Sequence, residues 1–320
     1  MTEDKAMTED KAMTEDIPTF KLEPGSPAAE LEVGEELVRG LLSRQHPDLA
    51  DLPLNLVENG FDNAIFRLGE HFTVRLPRRK AAVELIRNEQ HWLPKLAPRL
   101  PLPIPVPVRT GVADETFPWP WSICPWFEGK AADLEPLDGD QAGGLAAFLA
   151  ALHQPAPEDA PRNPARGVPL SVRAENNEER MARLFEETDA LDPWIVQAWQ
   201  DALAAPEDTA PTWLHGDLHA RNVLAKDGKI SAIIDWGDIT QGDRATDLAG
   251  IWMLLDSADA RAEAIRLYGN ADTALWARAR GWTVVFGVVL LDSGLVDNRR
   301  HAEMGRTTLE RLSEDMRNAH

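Results

Sequence analysis

Asp217, Asn222 and Asp235 carry oxygen donors at intervals that a folded hairpin can gather around a cation. Asp227 and Gly228 form a D-G pair, flanked by apolar Val223, Leu224 and Ala225 on one side and Ile230, Ala232, Ile233 and Ile234 on the other. This is the signal of a two-residue hairpin turn. The turn sets Lys226 opposite Lys229, Leu224 opposite Ser231 and Asn222 opposite Ile233, so that Asp235 lies just past the strand end beside Asn222. A carboxylate and an amide oxygen there, completed by water and phosphate oxygens, suit Mg²⁺, which seldom takes an all-protein cage. Asp217, in the preceding loop, is placed to orient a hydroxyl attacking a phosphate on that metal, or to accept its proton.

The order His215, Gly216, Asp217, four residues, Asn222, a hairpin, then Ile234, Asp235 and Trp236 resembles the catalytic and metal segments of the protein kinase-like superfamily. The chain is most similar there to the aminoglycoside phosphotransferase family, from about residue 30 onward, with its sharp motifs between 213 and 248. The resemblance implies an α+β bilobal fold: a small N-terminal lobe with an antiparallel sheet and one helix, then a larger, mainly helical C-terminal lobe. It implies ATP or GTP as co-substrate, Mg²⁺ as cofactor, Asp217 as catalytic base and His215 as support for the loop.

The elements that must position these groups follow from patterning. Residues 35–44 read as a helix, 54–58 as a strand, and 63–68 and 71–76 as a hairpin turning at Gly69 and Glu70, which sets Arg75 opposite Ala64. The loop of Asn59, Gly60, Phe61 and Asp62 then hangs over Arg75, offering backbone donors and a cation to a triphosphate. On the helix at 82–93, Leu85, Ile86, Trp92 and Leu93 share an arc of roughly 120° with Glu89 at its centre. A carboxylate in mid-stripe needs a partner, and Arg75 is the one expected. The resembling family usually has Lys where Arg75 stands, and the loop has only Gly60 in place of a glycine-rich run.

A proline-rich stretch at 100–108 leads to a strand at 119–124, with Cys124, Pro125, Trp126 and Phe127 connecting the lobes. By resemblance this connector, Cys124 and Trp126 included, meets the purine edge. The domains expected are a tail at 1–16, a nucleotide lobe at 17–123 and a catalytic and substrate lobe at 124–320. In the second lobe, helices are expected at 141–153, 175–188 and 193–205, with a long loop at 154–174. Glu175, Glu178, Glu179, Glu186 and Glu187 read as a solvated face that a polyamine would find attractive. Asp247 is placed to cap a helix at 248–255, and the resemblance adds that it braces the catalytic loop. Eleven residues separate Asp235 from Asp247, too few for a protein kinase's activation segment, and no Ala-Pro-Glu follows. Both favour a small-molecule hydroxyl acceptor.

Composition bounds the rest. The 320 residues include 33 basic and 53 acidic side chains, a formal charge of −20 that disfavours nucleic acid or anionic membrane as partner. A single cysteine excludes an internal disulfide framework and fits a reducing, cytoplasmic setting. The N-terminal Met-Thr-Glu-Asp-Lys-Ala hexad, present twice, has no apolar region and reads as a disordered acidic tail. The longest apolar run, 282–291, is about half a membrane span and reads as a buried C-terminal helix.

Three other readings stand beside the antibiotic kinase with an aminoglycoside or macrolide acceptor. One is a kinase of metabolic small alcohols such as homoserine, choline or a sugar. Another is a metal-dependent hydrolase built on His215, Asp217 and His219. It lacks further ligands at metal spacing, because His46, His71, His91, His153, His301 and His320 are scattered. The last is a silent nucleotide-binding module.

Overall fold

The computed structural model describes residues 29–319 except 61, 209, 270 and 271; the expected acidic tail lies outside them. The chain forms a small and a large lobe of mixed α and β structure. In the small lobe, α1 (Glu35–Gln45) precedes β1 (Leu54–Asn59), β2 (Asn63–Leu68) and β3 (Phe72–Pro77), followed by α2 (Val83–Leu96), β4 (Arg109–Gly111) and β5 (Trp121–Pro125). The strands make one antiparallel sheet in the order β1-β2-β3-β5-β4. Alternating Phe66, Leu68, Val74 and Leu76 bury one sheet face against Val38, Leu41 and Leu42 of α1. The lobe carries α1 as well as α2, at the two stretches, 35–44 and 82–93, where the sequence pattern indicated helices.

The second body comprises β6 (Lys130–Ala131), α3 (Ala142–Leu152), α4 (Leu170–Glu187), α5 (Pro193–Ala204), β7 (Thr212–Leu214), β8 (Val223–Lys226), β9 (Lys229–Ile233), β10 (Thr240–Gly242), α6 (Ala245–Leu248), α7 (Gly250–Leu254), α8 (Ala258–Tyr268), α9 (Thr273–Asp297) and α10 (Arg299–Asn318). Helix α9 runs through its core, packed by α4, α5, α6 and α10. At 25 residues α9 is long and apolar enough to cross a bilayer by length and composition, well beyond the run read from the sequence. Most of it is nevertheless buried inside the lobe, with Trp282, Val284, Val285 and Val288 shielded from solvent.

Two apolar clusters correspond to the two bodies. One gathers residues from Val33 to Ile123, the other from Trp92 to Met316. Trp92, Leu93 and Leu96 at the end of α2 belong to the larger cluster, with the Trp92 ring 4.7 Å from that of Trp213. Helix α2 therefore links the bodies, and the division expected at 123/124 falls inside β5.

Both hairpins form, with shifted registers. Asp227 and Gly228 have φ of 52° and 72°, the left-handed pair that a two-residue turn requires. Lys226 pairs with Lys229 as the turn dictates, but Ser231 bulges, so Leu224 faces Ala232 and Val223 faces Ile233. Ser231 Oγ donates to Glu128 O at 2.8 Å, which gives the bulged residue a partner. In the other hairpin Leu68 pairs with Phe72, so Gly69, Glu70 and His71 form a three-residue turn with Gly69 at φ 60°. Arg75 consequently faces Ile65 rather than Ala64.

Candidate active site

The loop from His215 to Asn222 is held from three sides. Asp247 Oδ2 accepts the His215 N–H at 2.7 Å, and its Oδ1 accepts the Gly216 N–H at 2.9 Å. His215, fully buried, donates from Nε2 to Ile234 O at 3.0 Å and accepts the Asp217 N–H on Nδ1 at 3.2 Å. Its tautomer follows from those partners, and both ring nitrogens are engaged within the loop. Gly216 has φ of 87°, and a Cβ there would lie 2.4 Å from Asp238 O. A left-handed backbone in close approach accounts for glycine.

Asp247 does not cap a helix. It sits inside α6, and Asp243 Oδ1 takes the Ala245 N–H at the start of that helix instead, at 3.0 Å. Arg278 Nε holds Asp243 at 2.6 Å, while the Asp247 carboxylate takes the two loop amides, with His153 Nε2 3.4 Å from its Oδ2.

Asp217 has three neighbours that favour its ionised form. His219 Nε2 lies 3.2 Å from Oδ2, Arg166 Nη2 donates to Oδ1 at 2.8 Å, and Asn222 Nδ2 approaches Oδ2 at 3.3 Å. Burial alone would raise this carboxyl; the charges of His219 and Arg166 outweigh it and hold it well below the usual carboxylate range. Asp217 is therefore an anion at any working pH. Sequence reasoning missed Arg166, which comes from the aperiodic segment before α4. The nearest signal there is the turn chemistry of Asn163, whose Oδ1 accepts the N–H groups of Ala165 and Arg166 at 2.8 and 3.2 Å.

Asn222 Nδ2 also donates to Asp217 O at 2.8 Å, which fixes the amide and leaves Oδ1 as its oxygen donor. The Ile234 N–H donates to Asn222 O at 2.8 Å, so the chain reaches Asp235 next to Asn222 despite the bulge. Asp235 has φ of 58°, a left-handed conformation unusual outside glycine, and its side chain is 59% exposed. An amide oxygen and an open carboxylate fit Mg²⁺, with the remaining ligands coming from water or phosphate.

Arg75 reaches this point from the small lobe. Its Nη1 donates to both oxygens of Glu89 at 2.8 and 2.9 Å, while Nη2 lies 3.6 Å from Asp235 Oδ1. Glu89 is 1% exposed, as a carboxylate in the middle of an apolar stripe must be when it has a partner. Burial works against the charge of Arg75, but Glu89 and Asp235 more than restore it. The Cys124 thiol lies buried near the same guanidinium; burial pushes it up to about 12, partly offset by Arg75.

The other residues expected at the nucleotide are spread more widely. The Gly60 N–H donates to Asn63 O and its carbonyl accepts from Arg78, so its amide closes the loop rather than standing free. Asn59 is exposed where β1 ends, and Phe61 is outside the described residues. Asp62, held by Arg79 at 2.6 Å, feels both Asp235 and Arg75, which places the loop at this site's edge. The Trp126 N–H donates to His71 O, extending the sheet, and Arg67 covers the Trp126 ring at 4.5 Å. Among the described residues no three His, Cys, Asp or Glu side chains gather as a metal cage. With His215 and His219 both committed to the loop, the hydrolase reading has no ligand set.

A two-lobed α+β body with a small antiparallel sheet and a large helical lobe is the kinase-like architecture. The structure of aminoglycoside 2'-phosphotransferase-IIIa with GDP is similar at TM-score 0.63 and 19% identity, over 90% of this chain and all of that one. Macrolide 2'-phosphotransferase MphH from Brachybacterium faecium, an apoenzyme, is similar at 0.57 and 23%, over 86% of this chain and 98% of that one. A ternary complex of APH(2")-IIa with streptomycin and ATP is similar at 0.54 and 16%, covering 81% and 91%. No curated protein sequence matches. The family model of APH, the phosphotransferase enzyme family, matches residues 53–282, and the chain belongs to that family. It is a phosphotransferase.

Proposed function

We propose that the chain transfers the γ-phosphoryl group of ATP or GTP to a hydroxyl of a small molecule. The observation that carries this reading is the meeting of Arg75 and Asp235, 3.6 Å apart across the two lobes, beside the loop that holds Asp217 and Asn222. In this reading the nucleotide lies between the lobes, under Asn59 and Gly60 and beside Cys124 and Trp126, its phosphates steadied by Arg75 on Glu89. Mg²⁺ on Asn222 Oδ1 and the Asp235 carboxylate would neutralise charge on the β- and γ-phosphates. Asp217 accepts a hydrogen bond from the acceptor hydroxyl and aims its oxygen at the γ-phosphorus. As the new O–P bond forms and the bond to the nucleoside diphosphate breaks, the hydroxyl proton passes to Asp217. A carboxylate this acidic is a weak base, and orientation is its main contribution, which suffices for a loose transition state. His215 and Asp247 keep the loop in place.

For the acceptor, the names of the similar structures support an antibiotic of the aminoglycoside or macrolide class. A second reading, a metabolic small alcohol, draws support from Arg166, whose positive charge sits directly on Asp217. The formal charge of −20 argues against nucleic acid as acceptor, and a cytoplasmic setting suits a nucleotide-dependent reaction. A nucleotide-consumption screen across aminoglycosides, macrolides and small alcohols, run with ATP and with GTP, tests the proposal. Acceptor-dependent release of ADP or GDP is expected. No acceptor-dependent consumption across the panel would count against it.

A further inference from the structure

Helix α4 has two unlike sides. Glu175, Glu178, Glu179, Glu186 and Glu187 are exposed, so the acidic stretch faces water. Arg173, Asn177 and Arg180, four and three residues apart, share the other side, where Asn177 is 2% exposed and the two arginines are half-buried. That side meets α9. Arg180 and Arg183 both hold Asp292, and Leu170 packs so closely on Gly281 that a Cβ there would lie 2.6 Å from it. With 170 beside 281 and 180 beside 292, the two helices run side by side in the same direction. Arg173 therefore falls beside the turn of α9 that carries Phe286. The Arg166 guanidinium rests on the Phe286 ring, 4.8 Å from its centroid, and holds Asp217 at 2.8 Å.

Two of these three guanidiniums have a carboxylate: Arg166 has Asp217, and Arg180 has Asp292. Arg173 has none among the described residues, and its Nε is buried without a hydrogen-bond partner. Burial first, then repulsion from Arg166 and Arg180, pushes Arg173 down to about 10. A partly buried cation without a counter-ion is costly, and an anion set against it would offset the burial and the repulsion.

We infer that Arg173, with Arg166 beside it, forms an acceptor subsite for an anionic group, so that the substrate is a small hydroxyl compound bearing a carboxylate or a phosphate. Its charge rests on Arg173 while its hydroxyl reaches Asp217. This inference rests on the proposed reaction and narrows its acceptor, because a polyamine would bring positive charge against a guanidinium that has no counter-ion.

The test is calorimetric titration of the full chain, saturated with Mg²⁺ and a non-hydrolysable analogue of ATP or GTP. The probes are malonate, glycerol 2-phosphate and kanamycin. Saturable binding of malonate or glycerol 2-phosphate is expected, weakened at least about tenfold in R173M and largely restored in R173K. Binding of the nucleotide analogue should be unchanged in both variants, which also reports their folding. Malonate alone binding points to a carboxylate, and glycerol 2-phosphate alone to a phosphorylated alcohol; either result supports the subsite. Failure of both anions to saturate the wild-type chain overturns it, as does kanamycin binding tighter than either, or R173M binding like wild type. Loss of the underlying reaction scheme would show separately, as a wild-type chain that binds no nucleotide analogue.

Discussion

Arg75 Nη1 donates to both carboxylate oxygens of Glu89, at 2.8 and 2.9 Å, which leaves Nη2 pointing to Asp235 at 3.6 Å. A lysine could satisfy Glu89 from one nitrogen, but only a guanidinium offers a second donor in fixed geometry. One side chain thereby ties helix α2 to the carboxylate that ends the large-lobe hairpin. Glu89→Ala strands Arg75 as a buried charge, and the chain should lose about 3–5 kcal/mol of stability in urea unfolding. Its KM for nucleotide should rise as Arg75 loses its anchor. A variant as stable as wild type would show that the pair is not needed to hold the guanidinium.

Asp247 accepts the N–H groups of His215 and Gly216 while 1% exposed, so its replacement leaves buried donors without partners. Asp247→Ala should cost about 1–3 kcal/mol for each stranded amide. The rate should fall because the loop carrying Asp217 loses its register. Thermal unfolding and kcat, measured together, check this: a drop in Tm with unchanged kcat would mean that the brace serves the fold alone.

Asp235 is open to solvent, so changing it should spare the fold. In Asp235→Asn the Mg²⁺ concentration for half-maximal rate should rise by more than the about 10–100-fold typical of outer-shell changes. Chelation by EDTA should stop turnover in the wild-type chain, and added Mg²⁺ should restore it. Turnover that is indifferent to EDTA would remove the metal from the scheme.

Cys124 gives a pH signature. Its thiol is raised from an ordinary 9.0 to about 12, chiefly by burial. A raised folded value means that its contribution to stability is complete below pH 9 and is lost as pH climbs toward 12. Wild type should therefore lose stability relative to Cys124→Ala across that alkaline window. At pH 8 the native chain should resist iodoacetamide, whereas the urea-unfolded chain should label quickly. Rapid native labelling, read by mass spectrometry, would contradict the burial.

Much of the site was legible because its signals are local. The D-G pair fixed one turn, and the i, i+3, i+4 stripe of α2 singled out Glu89 as a buried acid needing a partner. Register was less legible: the Ser231 bulge and the three-residue turn at Gly69 each move a strand by one, and no residue type announces either. The bulge moves Ile233 from opposite Asn222 to opposite Val223, and the Ile234 N–H on Asn222 O still brings the chain to Asp235 next to Asn222. Asp247 misled because an Asp near a helix start ordinarily caps, whereas this one lies inside α6 and its carboxylate serves the loop. Arg166 was invisible because its partner lies 51 residues away and its own segment has no period.

Phosphoryl transfer by Asp217→Ala, with nucleotide binding followed in parallel by calorimetry, bears most directly on the proposed role of Asp217. A fall in kcat of about 10²–10⁴-fold with nucleotide affinity largely kept is expected if, as proposed, Asp217 meets the acceptor hydroxyl rather than the nucleotide. Turnover within about tenfold of wild type would contradict it.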